Sequence, residues 1–344
     1  MHTCLISADE HGYCLGANSN EQLGNGSSAR ASTLAPIGGN LELLSLAAGL
    51  SHSCAVAQGG LAWCWGNNDH GQLGDRSTNA HGAPVLVADA HVFRSIAAGA
   101  AHTCALDAAG TAWCWGAGSQ GQLGNGSTND ATGPVSQRGE QFTALAAGWN
   151  YTCALDGGGK AYCWGDNSSG QLGTHDTIDR VVPTPVATSL SFTSIAAGAS
   201  HTCAVTAEGE AYCWGKNSNG QLGNGTVDAA DHSTPVLVKS DSRFMSITAG
   251  AMHSCAIDTD GQAHCWGMGA YGQLGDGSTR NAAQPVLVAD GHRFTALRAF
   301  GSHTCGSTPT GEAFCWGYNL EGQLGDGTRT NRPRPVYLAP PSGK

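Results

Sequence analysis

Fourteen cysteines stand in seven Cys-x9-Cys pairs: Cys4 with Cys14, Cys54 with Cys64, Cys104 with Cys114, Cys153 with Cys163, Cys203 with Cys213, Cys255 with Cys265, and Cys305 with Cys315. The pairs recur every 49 to 52 residues and use every cysteine in the chain. A fixed period of this length means an array of seven like units, so function has to be sought where the units differ.

The third copy shows the shared phrase in full: Ser95-Ile96-Ala97-Ala98-Gly99, His102-Thr103-Cys104, Trp113-Cys114-Trp115-Gly116, Gly121-Gln122-Leu123-Gly124 and Pro134-Val135. Each unit offers three or four apolar runs of four to six residues, broken by Gly, Asn, Asp and Pro, which is the pattern of strands joined by turns. No segment has the periodicity of an amphipathic helix. Glycine at 51 of 344 residues and charged residues at only 12% agree with an all-β chain. The net charge of -10 and the absence of a basic stripe argue against a general nucleic-acid binder. No 18-residue apolar run or lipidation motif is present, so membrane insertion is not expected.

Between Leu106 and Ala112 the residues fit a hairpin with a three-residue loop closed by Gly110, a register that sets Cys104 opposite Cys114. Counting outward from Asp107 and Thr111, the cysteines fall at a non-hydrogen-bonded pair, where Cα atoms approach to about 4.5 Å, close enough for a disulfide. Seven such bridges imply an oxidising compartment. Two alternatives stay open at this stage. His102, Cys104 and Cys114 lie where three zinc ligands could meet, although Tyr151 replaces the histidine in the fourth copy and no fourth ligand has a fixed spacing. The cysteines could also be reduced structural residues of a cytosolic protein.

Six repeated histidines, His2, His52, His102, His201, His253 and His303, read as a scaffold device that bonds a neighbouring turn, because catalysis does not call for six equivalent bases. Trp65, Trp115, Trp164, Trp214, Trp266 and Trp316 recur at one position and read as core between units, with Leu15 in their place in the first copy.

The phrase Cys-Trp-Gly-x4-Gly-Gln-Leu-Gly, at Cys64 to Gly74 and again from Cys114, Cys163 and Cys213, resembles the repeats of the regulator of chromosome condensation family. So does the preceding Ala-Ala-Gly-x2-His-[Ser/Thr], as at Ala97 to Thr103, and the likeness covers residues 1 to 338. The paired cysteines mark the copies as the bacterial type. The resemblance implies a seven-bladed β-propeller with about four short antiparallel strands per blade. It also implies that Gly71, Gln72, Leu73, Gly74 and their counterparts are inter-blade structure. The expected domain is a single propeller over 1–339, with units near 1–40, 41–90, 91–140, 141–189, 190–240, 241–291 and 292–339, followed by a short tail over 340–344.

Seven cysteine hairpins and seven Pro-Val-like runs accompany only six Ile-Ala-Ala-Gly-like runs. The first blade is therefore expected to lack one strand, either leaving an edge or groove or reflecting a sequence trimmed at its start. Trimming is the favoured reading, because a secreted protein needs a signal peptide and this sequence carries none.

Two variable regions remain as candidate partner-binding residues. One is the pair of free positions before each cysteine hairpin, of which Leu50-Ser51, Trp149-Asn150 and Ala251-Met252 include large apolar members. The other is the pair of long loops after Gln-Leu-Gly in copies four and five, with Asp176, Asp179 and Arg180, and Asp228, Asp231 and His232. No nucleophile elbow, phosphate loop or metalloprotease motif occurs, so no catalytic residue, metal or cofactor is assigned. The expected function is a monomeric, non-catalytic scaffold for protein–protein interaction, secreted or exposed on a bacterial cell envelope. One alternative is a secreted enzyme inhibitor that covers its target with a propeller face. The other, implied by the family resemblance, is guanine-nucleotide exchange on a small GTPase. That activity depends in the family on an inserted wedge that no unit here is long enough to hold.

Overall fold

The protein is described by a computed structural model covering residues 1–137 and 139–340; the expected tail beyond residue 340 lies outside the described residues. Among the described residues twenty-seven strands form seven sheets arranged as the blades of a propeller. Blade three runs outward as Phe93–Ala98, His102–Asp107, Ala112–Gly116 and Ala131–Ser136, all antiparallel neighbours. Five other blades repeat this four-stranded order, and the first has three strands, His2–Ile6, Gly12–Gly16 and Ala31–Pro36. Short β-rich runs ended by glycine turns can extend only a few residues, and antiparallel meandering is the arrangement that such short connections allow.

The cysteine register is the one expected. Cys104 stands opposite Cys114 across the two middle strands and is disulfide-bonded to it, with Cα atoms 4.1 Å apart. The same Cα separation of 4.1 Å recurs in every other bridge. Cys4 is bonded to Cys14, Cys54 to Cys64, Cys153 to Cys163, Cys203 to Cys213, Cys255 to Cys265, and Cys305 to Cys315. The closeness is somewhat tighter than the sequence register implied, and both values belong to a non-hydrogen-bonded pair. No free cysteine remains among the described residues, which removes the thiolates that a zinc site would use.

Packing between blades uses two repeated side chains and a repeated glycine. The six tryptophans are fully buried, and each indole N–H donates to the carbonyl of the glutamine in the preceding blade's Gly-Gln-Leu-Gly turn, as from Trp115 to Gln72 at 2.9 Å. The aromatic residue that opens an inner strand covers the blade before it; Phe93 packs on Val56, Ala62 and Cys64. Gly116 must be glycine, since it has φ near +99° and a Cβ there would meet the Ala101 carbonyl and the Gln72 backbone.

The histidines form a belt that crosses every blade junction but one. His52 Nε2 lies 2.9 Å from Thr103 Oγ1, and Thr103 Oγ1 donates to the Gln72 carbonyl at 3.0 Å. The same two-step link joins His2 to Ser53, His102 to Thr152, His201 to Ser254 and His253 to Thr304. His303 reaches Thr3 at 2.7 Å, so the belt closes between the seventh blade and the first. The histidines thus engage a hydroxyl of the next blade, and only through it the turn that sequence reasoning pointed to. At the remaining junction, in the fourth copy, Tyr151 Oη donates directly to the His201 carbonyl at 2.5 Å.

Candidate functional site

Each middle strand that begins with the belt histidine pairs with the Trp-Gly end of the next strand, His102 with Gly116, and Gly116 pairs onward with Ala131 at the start of the outer strand. The turn before the histidine and the loop after Trp-Gly therefore leave the sheet on the same side. This brings the two candidate regions together on one face, with the turns near the axis and the long loops toward the periphery.

The axial turns differ in what they present. Leu50, Trp149 and Met252 are 38%, 36% and 36% exposed, Asn150 is exposed and Ser51 half-buried, whereas Ala251 is buried. Gly99, which starts one such turn, cannot carry a side chain, because a Cβ would collide with the His102 ring and the Gly148 carbonyl.

The peripheral loops are held largely by their own polar groups. Asp176 accepts from Arg180 Nη2 at 2.5 Å and from the buried amide of Asn167 at 3.1 Å, and Asp179 accepts from the Asn167 backbone N–H at 2.8 Å. Desolvation works against the Asp176 carboxylate, but backbone and side-chain donors around it outweigh that effect and hold the carboxyl below its ordinary value. Asp228 lies 2.9 Å from His232 Nε2 and bonds Asn217 and Thr226; against desolvation, these contacts bring its pKa down to about 2. Five of these six residues thus order the loop that carries them, and Asp231 is exposed. The buried asparagine is a repeated anchor: Asn68, Asn167, Asn217 and Asn319 each accept the N–H of the leucine five residues on and donate back across the loop.

Sequence reasoning missed part of this face. Tyr271 and Tyr318 meet edge to face at 5.2 Å, Leu320 beside them is 51% exposed, and Met268 accompanies Met252 through a backbone bond of 2.8 Å. These residues occupy variable positions between Trp-Gly and Gly-Gln-Leu-Gly, the same kind of signal that singled out Trp149. Burial, followed by the charge of Glu321, raises the Tyr318 phenol above its ordinary value, so it is neutral and can donate.

A central cavity of about 790 Å³ lies inside the ring, lined by the inner strands with Ser45, Ser194, Ser246 and Arg298 among mostly small apolar residues. No group of three or more His, Cys, Asp or Glu side chains able to hold a metal occurs among the described residues. No helix there is long and apolar enough to cross a membrane.

Comparison with known proteins agrees with this architecture. A human protein, WBSCR16, matches with a TM-score of 0.87 at 20% identity, over 96% of this chain and 94% of that one. Yeast RCC1 (Prp20), solved bound to Kap60, matches with a TM-score of 0.85 at 22% identity, over 97% and 85%. The ectodomain of the Arabidopsis thaliana receptor kinase ACR4 matches with a TM-score of 0.60 at 22% identity, over 92% of each chain. No curated protein matches by sequence. The RCC1-like domain model matches residues 1–305 and the regulator of chromosome condensation repeat model matches residues 310–344, and with seven such blades in a closed ring the chain belongs to the RCC1-like family.

Proposed function

We propose that this propeller is a non-catalytic protein-binding scaffold of an oxidising compartment, secreted or exposed on the cell envelope, whose partner sits on the loop face. The single observation that carries the reading is the division of labour among the side chains. Tryptophan and histidine repeat in most blades and are consumed by inter-blade bonds, while the buried asparagines are consumed in tying their own loops. The large apolar residues Trp149, Met252, Tyr271 and Leu320 instead stand more than a third exposed on the loop face. Aromatic and methionine side chains gathered on a rigid rim have the composition of binding hot spots. The seven disulfides support the compartment, since bridges in every repeat persist only where thiols are not continually reduced. The family's solved members include one characterised for binding to Gsp1p and histones, which supports a protein partner in general without specifying this one.

The test is affinity capture from the extracellular or envelope fraction of the source cells, comparing native protein with Trp149→Ala and Tyr271→Ala/Tyr318→Ala variants. A partner retained by native protein and lost from both variants is expected. Equal capture by all three would remove this face from consideration.

A further inference from the structure

Beneath the loop face, Gln273 and Gln323 each hold an amide donor that nothing receives. They are 1% and 0% exposed, and the Nε2 of each is buried without a hydrogen-bond partner among the described residues. Their orientation is fixed, because Oε1 of Gln273 accepts the Tyr271 N–H at 2.8 Å and Oε1 of Gln323 accepts the Glu321 N–H at 3.0 Å. Blade two shows where such a donor points. There Gln72 Oε1 accepts the His70 N–H in the same way, and Gln72 Nε2 donates to Oδ1 of Asn67, the residue that follows Trp-Gly. The residue following Trp-Gly is Met268 in blade six and Tyr318 in blade seven. A thioether is a weak acceptor, and a phenol carries its oxygen at the far end of the ring. Gln171, whose Nε2 is also unpaired, has Asp166 at that position, a residue with acceptors of its own.

The surface around these donors is apolar. Met268 is half-buried, and Tyr271, three residues on, is 37% exposed and packs edge to face on Tyr318 of the next blade, with Leu320 exposed beside it. The two covers differ in stiffness: Met268 is unbranched with three rotatable side-chain bonds, whereas the Tyr318 ring is braced by Tyr271. Swinging Met268 aside opens the Gln273 donor to whatever rests on the tyrosines. That occupant needs an acceptor oxygen next to an apolar group. An anion is disfavoured, because the seven loops joining each Gly-ended strand to the outer strand carry twelve Asp or Glu against five Arg or Lys. Sugars are disfavoured as well, since Met, Leu and Tyr flanks leave most of their hydroxyls unmatched. A peptide unit beside a large apolar side chain has the required chemistry, a neutral carbonyl and a hydrophobic group on one residue.

We propose that blades six and seven form the anchor subsite of the protein-binding loop face, which rests on that face being the one a partner occupies. A large apolar side chain of the partner polypeptide packs on Tyr271 and Tyr318, Met268 moves off the turn, and a main-chain carbonyl of the partner accepts from Gln273 Nε2. The bond left unmade in the free protein is then made on binding. The repeat also shows what would close the site. Asparagine in place of Met268 would satisfy Gln273 from within, as Asn67 satisfies Gln72, and would leave the partner's carbonyl without a donor.

The test titrates isotope-labelled protein with N-acetyl-phenylalanine N-methylamide, a neutral apolar residue between peptide units, and follows the side-chain NH2 resonance of Gln273 by NMR. A saturable shift of that resonance is expected. Met268→Asn should weaken binding about tenfold or more, whereas Met268→Ala, which only removes the cover, should bind at least as tightly as native protein. Each variant introduces a residue that another blade carries at the same position, Asn67 or Ala117, so the native disulfides and backbone spectrum should persist. The N-acetylphenylalanine anion should bind about fivefold more weakly or worse. A Gln273 resonance that does not move, or equal affinity of the Met268→Asn and Met268→Ala proteins, overturns the proposal. So does an equal response to the anion, or to methyl glucoside, which would make the site a sugar platform. A natural partner captured by native protein, lost from Trp149→Ala and kept by Met268→Asn would overturn the subsite while leaving the loop-face reading standing.

Discussion

Mild acid should loosen the whole ring through its histidine belt. Each belt hydroxyl spends its single proton on a glutamine carbonyl, Thr103 on Gln72 and Ser254 on Gln221, so the histidine that meets it must be the donor, from Nε2–H. Nδ1 is then a bare acceptor, and in all six histidines it is buried with no hydrogen-bond partner. Protonation would bury a cation there with nothing to receive its second N–H. Burial accordingly drives His52, His253 and His303 down to about 3 and His102 and His201 to about 4, and holds His2 well below its ordinary value. These pKa values lie below the unfolded value, so the unfolded chain binds the extra protons. Their stabilisation is fully present above about pH 7 and is lost as pH falls from the unfolded value toward the folded ones. At pH 5 an unfolded histidine with a pKa of about 6.5 gains about 2 kcal/mol by protonation, and six together gain about 12 kcal/mol, comparable with the whole stability of an ordinary domain. Scanning calorimetry or urea unfolding at pH 8, 7, 6 and 5, at fixed ionic strength with disulfides intact, reads this directly. The expected result is a midpoint that falls steeply below pH 6.5 with uptake of several protons on unfolding. The carboxyls held low, Asp107, Asp176, Asp228 and Asp326, contribute further loss only in stronger acid, since they too titrate below their ordinary range. A midpoint unchanged between pH 8 and pH 5 would refute the assignment of these rings as buried neutral donors.

Other perturbations have defined outcomes. Reduction and alkylation should reveal fourteen thiols where native protein shows none, read by intact mass. Replacing both Cys104 and Cys114 by alanine opens a short loop and should cost about 2 to 3 kcal/mol in urea unfolding by the chain-entropy model. Trp164→Ala empties a fully buried site between blades and removes one of the two donors to the Gln122 carbonyl, leaving Thr152, so a loss of about 3 to 5 kcal/mol is expected, measured the same way. Trp149→Ala, on the exposed rim, should change stability by no more than about 0.5 kcal/mol, so any loss of partner capture reports binding.

Much of this molecule was legible in its sequence because repetition turns weak local signals into strong ones. Seven copies of a Cys-x9-Cys hairpin, six with a glycine-closed loop and the first with Glu10 in the same left-handed position, leave one register that brings every cysteine opposite its mate, from Cys4 and Cys14 in the first blade to Cys255 and Cys265 in the sixth and Cys305 and Cys315 in the seventh, and the structure has that register. The count of six inner-strand phrases likewise foretold a three-stranded first blade. Those readings depend on hydrogen bonds and turns between near neighbours in the chain, which a linear pattern records.

What the line of residues did not record was contact between units. The histidine belt links residues of successive repeats, and it closes from His303 back to Thr3, a span of 300 positions. Which atom of a repeated histidine is satisfied, and which is left bare, follows only once the neighbouring blade places its hydroxyl. The loop face is similar: Asp176 and Asp228 look from sequence like groups offered to a partner, but folding turns them inward onto Asn167 and Asn217. Tyr271 and Tyr318, from adjacent blades, become one exposed aromatic pair. Local sequence determined the hairpins, the bridges and the number of blades, because short-range geometry suffices for them. The ring's curvature decided which polar groups are consumed at the seams and which side chains are left facing outward, since that depends on distances between blades that no single repeat contains.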